Sequence, residues 1–272
     1  MPHDSGQSRL SDLLSLANGT EDIALLKEGW FEDFFSGAAL DLWRNAIPQE
    51  TTEREVEFLS DVFSLPEGSR LLDAPCGNGR LSLPFALLKY KVTGIDFSAA
   101  FVAEAKETAR TKKVQIDYLQ GDMRNLSFEN EFDGAFCMGN SFGYFDRAGT
   151  LQFFQSVSRS LKSGAKFVID SAMVAETFLV NGGVKEWVQV GDIYMLIENK
   201  YDCRQSLVET DYTFVSKGKE EKRRALHWIY SAGEVCHMLE QADFVVDDLF
   251  SSTDCDEFSL GDERLLLVAH KS

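Results

Sequence analysis

Apolar residues recur along this chain with more than one period, and the changes of period mark its parts. Between residues 22 and 64, Leu25, Leu26, Trp30, Phe34 and Phe35 fall at helical spacing. Pro48 interrupts that pattern, and TTEREVEFLSDVFSL resumes it at Val56, Leu59, Val62 and Phe63 behind a threonine cap. From residue 67 onward, short apolar runs alternate with helical stretches. RLLDA, KVTGID, VQIDYLQ, FDGAFCMG and AKFVID predict five strands. A helix from near Gly79 to Lys89 (with Pro84 tolerated near its first turn), one capped by Ser98 and one ending at Gly164 fall between them. Strands alternating with helices predict a parallel, doubly wound α/β sheet. Residues 185 to 230 shift to period 2 with turns between, which predicts three or four antiparallel strands. Ser231 and Glu234 then form an S-x-x-E capping box, followed by a helix and two final strands.

The candidate chemistry sits where the first strand hands over to a helix. LLDAPCGNGR, residues 71 to 80, crowds Pro75, Gly77 and Gly79 into that turn. Glycines let the backbone approach a ligand, and a helix start offers free N–H groups to a negative group. Asp96 ends the second strand seventeen positions beyond Gly79, where an acid can accept both hydroxyls of a ribose. Together the turn and the acid predict an adenosine-like cofactor. Asp122, in QGDMRN, closes the third strand at the same sheet edge and is placed to accept from an exocyclic amine.

The ordered set LLDAPCGNGR, VTGIDFS, QGDM, FDGAFCMGNSFGYF and LKSGAKFVID resembles the class I S-adenosylmethionine-dependent methyltransferases. The closing helix and two strands resemble that family's reversed last strand. The resemblance implies a Rossmann-like sheet formed by residues 67–175 and 231–272, a helical cap over 21–66 behind a flexible tail at 1–20, and an antiparallel substrate-covering insertion at 176–230. It implies that Asp73 orders the loop near the methionine amine. Ala74, Cys76, Gly77 and Gly79 would hold the methionine and ribose by their backbone. Asp96 is similar to the ribose acid, Phe97 to the residue packed on adenine, and Asp122 and Met123 to the adenine-contacting pair. Met138, Gly139 and Asn140 fall where the chain passes the reactive methyl. Pro75 departs from the pattern by replacing its first glycine, which stiffens the loop.

Methyl transfer from a sulfonium needs positioning more than acid–base machinery, and the chain shows no Ser/His/Asp set, H-E-x-x-H motif or metal cluster. A base or orienting group, where one is used, is expected at Tyr144, His227 or Tyr230. The other histidines, His3, His237 and His270, read as structural. Trp30, Phe31, Phe34, Phe35 and Trp43 fit either plain core or a lid over the cofactor, and Arg44 either a surface charge or a carboxylate partner. A net charge of −17 and a pI near 4.6 argue against nucleic acid and membrane surfaces as partners. The basic run 217 to 224, broken by Glu220 and Glu221, reads as a solvated turn. Five scattered cysteines without a C-x-x-C pair suit a reducing cytoplasm. The expectation is therefore a cytoplasmic enzyme that methylates a small-molecule N or O nucleophile. A non-catalytic S-adenosylmethionine-binding protein and a nicotinamide-dependent oxidoreductase stand as alternatives. The last fits less well, because Ser82 occupies the third glycine position of G-x-G-x-x-G.

Overall fold

The buried apolar runs of the middle of the chain do form one sheet. The structure is a computed structural model and describes residues 29–272. The tail at 1–20, His3, and Leu25 and Leu26 of the predicted first helix lie outside the described residues. Three N-terminal helices come first: α1 (Trp30–Phe34), α2 (Gly37–Asn45) and α3 (Gln49–Phe63). The last starts after Pro48 rather than at a threonine cap. Thr52 sits inside its first turn, where its hydroxyl donates back to the Pro48 carbonyl at 3.4 Å.

The main sheet contains β1 (Arg70–Asp73), β2 (Lys91–Asp96), β3 (Asp117–Gln120), β4 (Phe132–Cys137), β5 (Leu161–Ser171), β10 (Phe244–Phe250) and β11 (Leu265–Lys271). Their order is β10-β11-β5-β4-β1-β2-β3, parallel except that β11 runs antiparallel to both neighbours. β1, β2 and β4 are buried along nearly their whole length, as strands covered on both faces must be. The covering helices are α4 (Ser82–Leu87), α5 (Ala99–Lys112), α6 (Arg147–Ser160) and α8 (Ala232–Glu240). Phe132, Phe153, Phe154 and Phe167 fill the main core between them.

Two boundaries move. α6 ends at Ser160, not Gly164, because Leu161 already pairs with Phe132 and starts β5. α4 starts at Ser82 because residues 77–81 are spent on the turn. The capping box forms as read: the Ser231 hydroxyl accepts from the Glu234 amide at 3.2 Å, and the Glu234 carboxylate accepts from the Ser231 amide at 2.9 Å.

After β5 come a short helix, α7 (Ala175–Asn181), and a four-stranded antiparallel sheet, β6 (Lys185–Val190), β7 (Ile193–Asp202), β8 (Leu207–Ser216) and β9 (Lys219–Trp228). The basic run is strand rather than loop: only Lys217 and Gly218 turn, both with positive φ, and β9 pairs from Lys219 onward. A two-residue turn of that kind matches the twist of the strands it joins. This sheet leans on the N-terminal helices. Phe34 and Trp43 meet Tyr212 with ring centroids 5.4 and 6.3 Å apart. Its far end is tied to the loop after β4, where the Trp228 amide donates to the Gly143 carbonyl at 2.8 Å.

Candidate functional site

Strand order places the site. Chain direction switches sides between β1 and β4, and ligands of open α/β sheets bind in the crevice at such a point, beyond the carboxyl ends of the strands. Residues 73–79 after β1, 96–98 after β2 and 138–145 after β4 share that rim, around a cavity of about 450 Å³.

The turn after β1 is built on backbone hydrogen bonds and one carboxylate. The Cys76 amide donates to Ile95 O at 2.8 Å, and the Gly79 amide to Cys76 O at 3.0 Å. Asp96 Oδ2 accepts from the Gly77 amide and Oδ1 from the Ser98 amide, both at 2.8 Å. Asp96 is thus fixed to the glycine turn itself. Burial raises its pKa, and the two amides oppose that. The Ala74–Pro75 peptide bond is cis.

Asp73 lies deeper, 2% exposed, with Oδ2 accepting from the Ser82 hydroxyl at 2.6 Å. Desolvation pushes its pKa up to about 7 against the pull of Ser82 and the Arg80 charge. Ser82, which breaks the dinucleotide pattern in the sequence, therefore serves Asp73. Tyr118 of β3 lies under the turn. A Cβ on Gly79 would strike its hydroxyl and one on Gly94 its ring, so both glycines are made necessary by a tyrosine from another strand.

Asp73, Pro75, Cys76, Gly77, Gly79, Asp96, Phe97, Asp122, Met123, Met138, Gly139 and Tyr144 all line the cavity. Three expectations take a different form. Ala74 is buried behind the turn, its amide donating to Phe136 O at 3.1 Å. Asn140 turns away from the cavity to accept from the Ala172 amide at 2.8 Å. Asp122 lines the cavity, but Arg124 grips its carboxylate with Nε 3.0 Å and Nη2 2.7 Å from Oδ2, so the acid faces any ligand as half of an ion pair. That guanidinium in turn lies over the Phe145 ring, 4.4 Å from its centroid.

The proposed base candidates separate as well. Burial raises the Tyr144 pKa far above its ordinary range, leaving a phenol that donates rather than a base. Tyr230 is not among the lining residues, and its hydroxyl donates to Phe145 O at 3.1 Å. His227 is buried against Trp30 and Tyr144, with ring centroids 5.4 and 5.3 Å away, and does not line the cavity. Burial lowers its pKa to about 4, so the imidazole is neutral at pH 7.

The N-terminal aromatics divide between core and cavity wall. Trp30, Phe31 and Phe34 are core, while Phe31, Phe35 and Trp43 also wall the cavity. Arg44 reaches the cavity too, but its charge is shared with Glu104 and with Asp41 at 2.7 Å. Sequence reasoning missed Thr52, Arg80, Phe101 and Phe145 as lining residues. Arg80 stands inside the quoted turn, while the others carry no local signal.

Comparisons with known proteins agree with this geometry. Residues 71–164 match a family model described as a methyltransferase domain. "Putative methyltransferase YqeM" of Bacillus subtilis is 34% identical over 120 residues, covering 42% of this chain. The chain spans 48% of that protein's length. A S-adenosylmethionine-dependent methyltransferase structure from Clostridium acetobutylicum superposes with a TM-score of 0.74 at 19% identity, covering 85% of this chain and 95% of that one. The sugar N-methyltransferase KedS8 from a Streptoalloteichus species gives 0.67 at 19% identity, covering 85% and 92%. The strand order, the reversed β11 and the matched glycine turn together give this chain the fold of the S-adenosylmethionine-dependent methyltransferases, with a methyltransferase domain over residues 71–164.

Proposed function

We propose that this protein transfers a methyl group from S-adenosylmethionine to a nitrogen or oxygen of a small molecule, chiefly by positioning. The observation that carries the reading is the pair of buried acids, Asp73 and Asp96, on one cavity with the glycine turn between them. The cavity fits the cofactor in chemistry as well as place. Asp96 suits the ribose hydroxyls, and Asp73 and the turn suit the amino-acid end. A Cβ on Gly77 or Gly139 would meet nothing within 4 Å, so both backbones face open space.

When bound, the cofactor supplies a methyl group on a sulfonium, already activated for displacement. Phe97 and Met123 would flank the adenine, and Met138 and Gly139 would pass the methyl. Phe31, Phe35 and Trp43 would exclude water. Holding the acceptor in line with carbon and sulfur can supply on the order of 7–11 kcal/mol. Tyr144, which lines the cavity, would orient the acceptor by donating a hydrogen bond. His227 and Tyr230 would act through the wall behind it, keeping its loop in place.

Aromatics of the N-terminal helices wall the cavity and the four-stranded sheet packs against those helices, which supports a small acceptor over a polymer, and a sugar N-methyltransferase among the fold neighbours is a precedent. The five free cysteines suit the cytoplasm expected from their spacing. Titration calorimetry tests the reading: S-adenosylmethionine and S-adenosylhomocysteine should bind with Kd on the order of micromolar, and NAD should not. Binding of NAD alone would overturn it. A screen of small amines, phenols and carboxylic acids with labelled methyl donor then separates an enzyme from a mere cofactor binder.

A further inference from the structure

Four charged side chains, remote from one another in sequence, meet at one end of the cavity. Glu55 of α3, 3% exposed, takes Arg80 on Oε2 at 2.6 Å and Arg264 on Oε1 at 2.8 Å. Arg264, just before β11, sends its Nε to Asp170 Oδ1 at 2.8 Å. The other oxygen of Asp170 accepts from the amides of Gly139 and Asn140, at 2.9 and 3.2 Å. Arg80 also donates to the Thr52 hydroxyl at 2.9 Å.

We propose that Arg264 is a positioning residue, which through Glu55 and Asp170 holds the turn after β4 in place against the glycine turn. The claim rests on the function proposed above, in which both turns face the amino-acid end of the cofactor.

Two carboxylates and two guanidiniums alternate along the chain Arg80, Glu55, Arg264, Asp170, so the cluster is neutral and each buried carboxylate has a cation. Arg264 is the only one of the four that touches both Glu55 and Asp170. Its planar fork serves two acceptors at once, which a lysine point charge does not match. Without it, Asp170 keeps only the two backbone amides, and its orientation is no longer set from outside the turn. Gly139 and Asn140 both have positive φ, so this turn is one that ordinary backbone preference does not hold. At the other end, Arg80 and Thr52 line the cavity directly. Arg264 itself does not line it, so its effect on ligand must pass through its partners.

The test needs no methyl acceptor. S-adenosylhomocysteine reaches the amino-acid end, while 5′-methylthioadenosine carries the same nucleoside without that end. Both are titrated into wild type, Arg264→Met, Arg264→Lys, Asp170→Asn and Asp170→Asn/Arg264→Met, with binding stoichiometry reporting the folded fraction. Arg264→Met should weaken S-adenosylhomocysteine about tenfold and leave 5′-methylthioadenosine within about twofold, in line with the sensitivity of such sites to small displacements. Arg264→Lys should fall between, and the double variant should lose no more than the worse single one, since the two residues act in series. Equal weakening of both ligands, or unchanged S-adenosylhomocysteine affinity, would overturn the proposal. If Arg264→Met does not fold, Arg264→Lys decides by the same split. Wild type that binds neither nucleoside removes the functional reading and this proposal with it. Wild type that binds both, with variants that match it, removes the proposal alone.

Discussion

Asp73 and Asp96 share a rim, yet burial treats them differently. Asp96 has two backbone amides against its oxygens, whereas Asp73 has one serine hydroxyl and a more distant Arg80 charge. Desolvation therefore lifts Asp73 from 3.8 to about 7 in the ligand-free protein. The folded chain then holds a proton that the unfolded chain has released across that window, so stability falls as pH rises through it. A ligand ammonium prefers the ionised carboxylate, so cofactor affinity should rise as pH climbs through about 7. Calorimetry of S-adenosylhomocysteine across that range should show this slope in wild type and a flat, weaker profile in Asp73→Asn. Asp96→Ala removes both the ribose acceptor and the anchor of the Gly77 and Ser98 amides. It should weaken the cofactor by at least about tenfold, since a buried pair of donors loses its partner. Unchanged affinity would take Asp96 out of the ribose role. The two acids and the glycines were readable from spacing. Ser82 as the partner of Asp73 was not, because a serine at a missing glycine position reads only as a mismatch.

At the scale of elements, the turn after β1 depends on the strand two places away. Gly94 sits mid-strand in β2, and a Cβ there would come 2.6 Å from the Tyr118 ring and 3.0 Å from Cys76 Sγ. Gly94→Ala should therefore cost about 1–3 kcal/mol, the usual range for overpacking a tight core. It should also weaken the cofactor, because Cys76 belongs to the turn. Urea unfolding and calorimetry on the same variant check both effects. A smaller residue at 118 in the same background should recover part of the stability. β2 and α5 were legible to the residue, since a buried run and a serine cap are local signals. The starts of α3 and α4 and the end of α6 were displaced. Pro48 sets the first, the glycine turn consumes the residues before the second, and strand pairing to Phe132 takes residues from the third.

Across the whole molecule, the N-terminal helices, the loop after β4 and the four-stranded sheet meet at Trp30, Tyr144 and His227. Their ring centroids lie 4.9 to 5.4 Å apart. Glu221 of β9 strengthens the joint by accepting from the Ala38 amide at 3.2 Å. Burial lowers the His227 pKa from 6.5 to about 4. Its neutral form thus contributes stability that is full above pH 6.5 and is lost as pH falls toward 4. His227→Phe should shrink the loss of stability on acidification across that window, read by thermal melts. A variant that keeps the full acid sensitivity would show that this ring is not responsible. The same joint explains why Tyr230 is a structural donor: β9 and the loop after β4 bring its hydroxyl to Phe145 O rather than to the cavity.

What the sequence determined by itself is local and periodic: the alternation of strand and helix, the period-2 antiparallel strands, the glycine turn and the acids at strand ends. Backbone preferences and the two periodicities act over a few residues, so they are written in order along the chain. What only the tertiary structure decided is which side chains already have partners. Asn140 on Ala172, Tyr230 on Phe145 and the Glu55–Arg264–Asp170 cluster each join residues by geometry. A hydrogen bond or ion pair leaves no trace in the sequence of either member unless they are neighbours on one element. The path from an acid in a motif to an acid free to meet a ligand therefore runs through the folded chain.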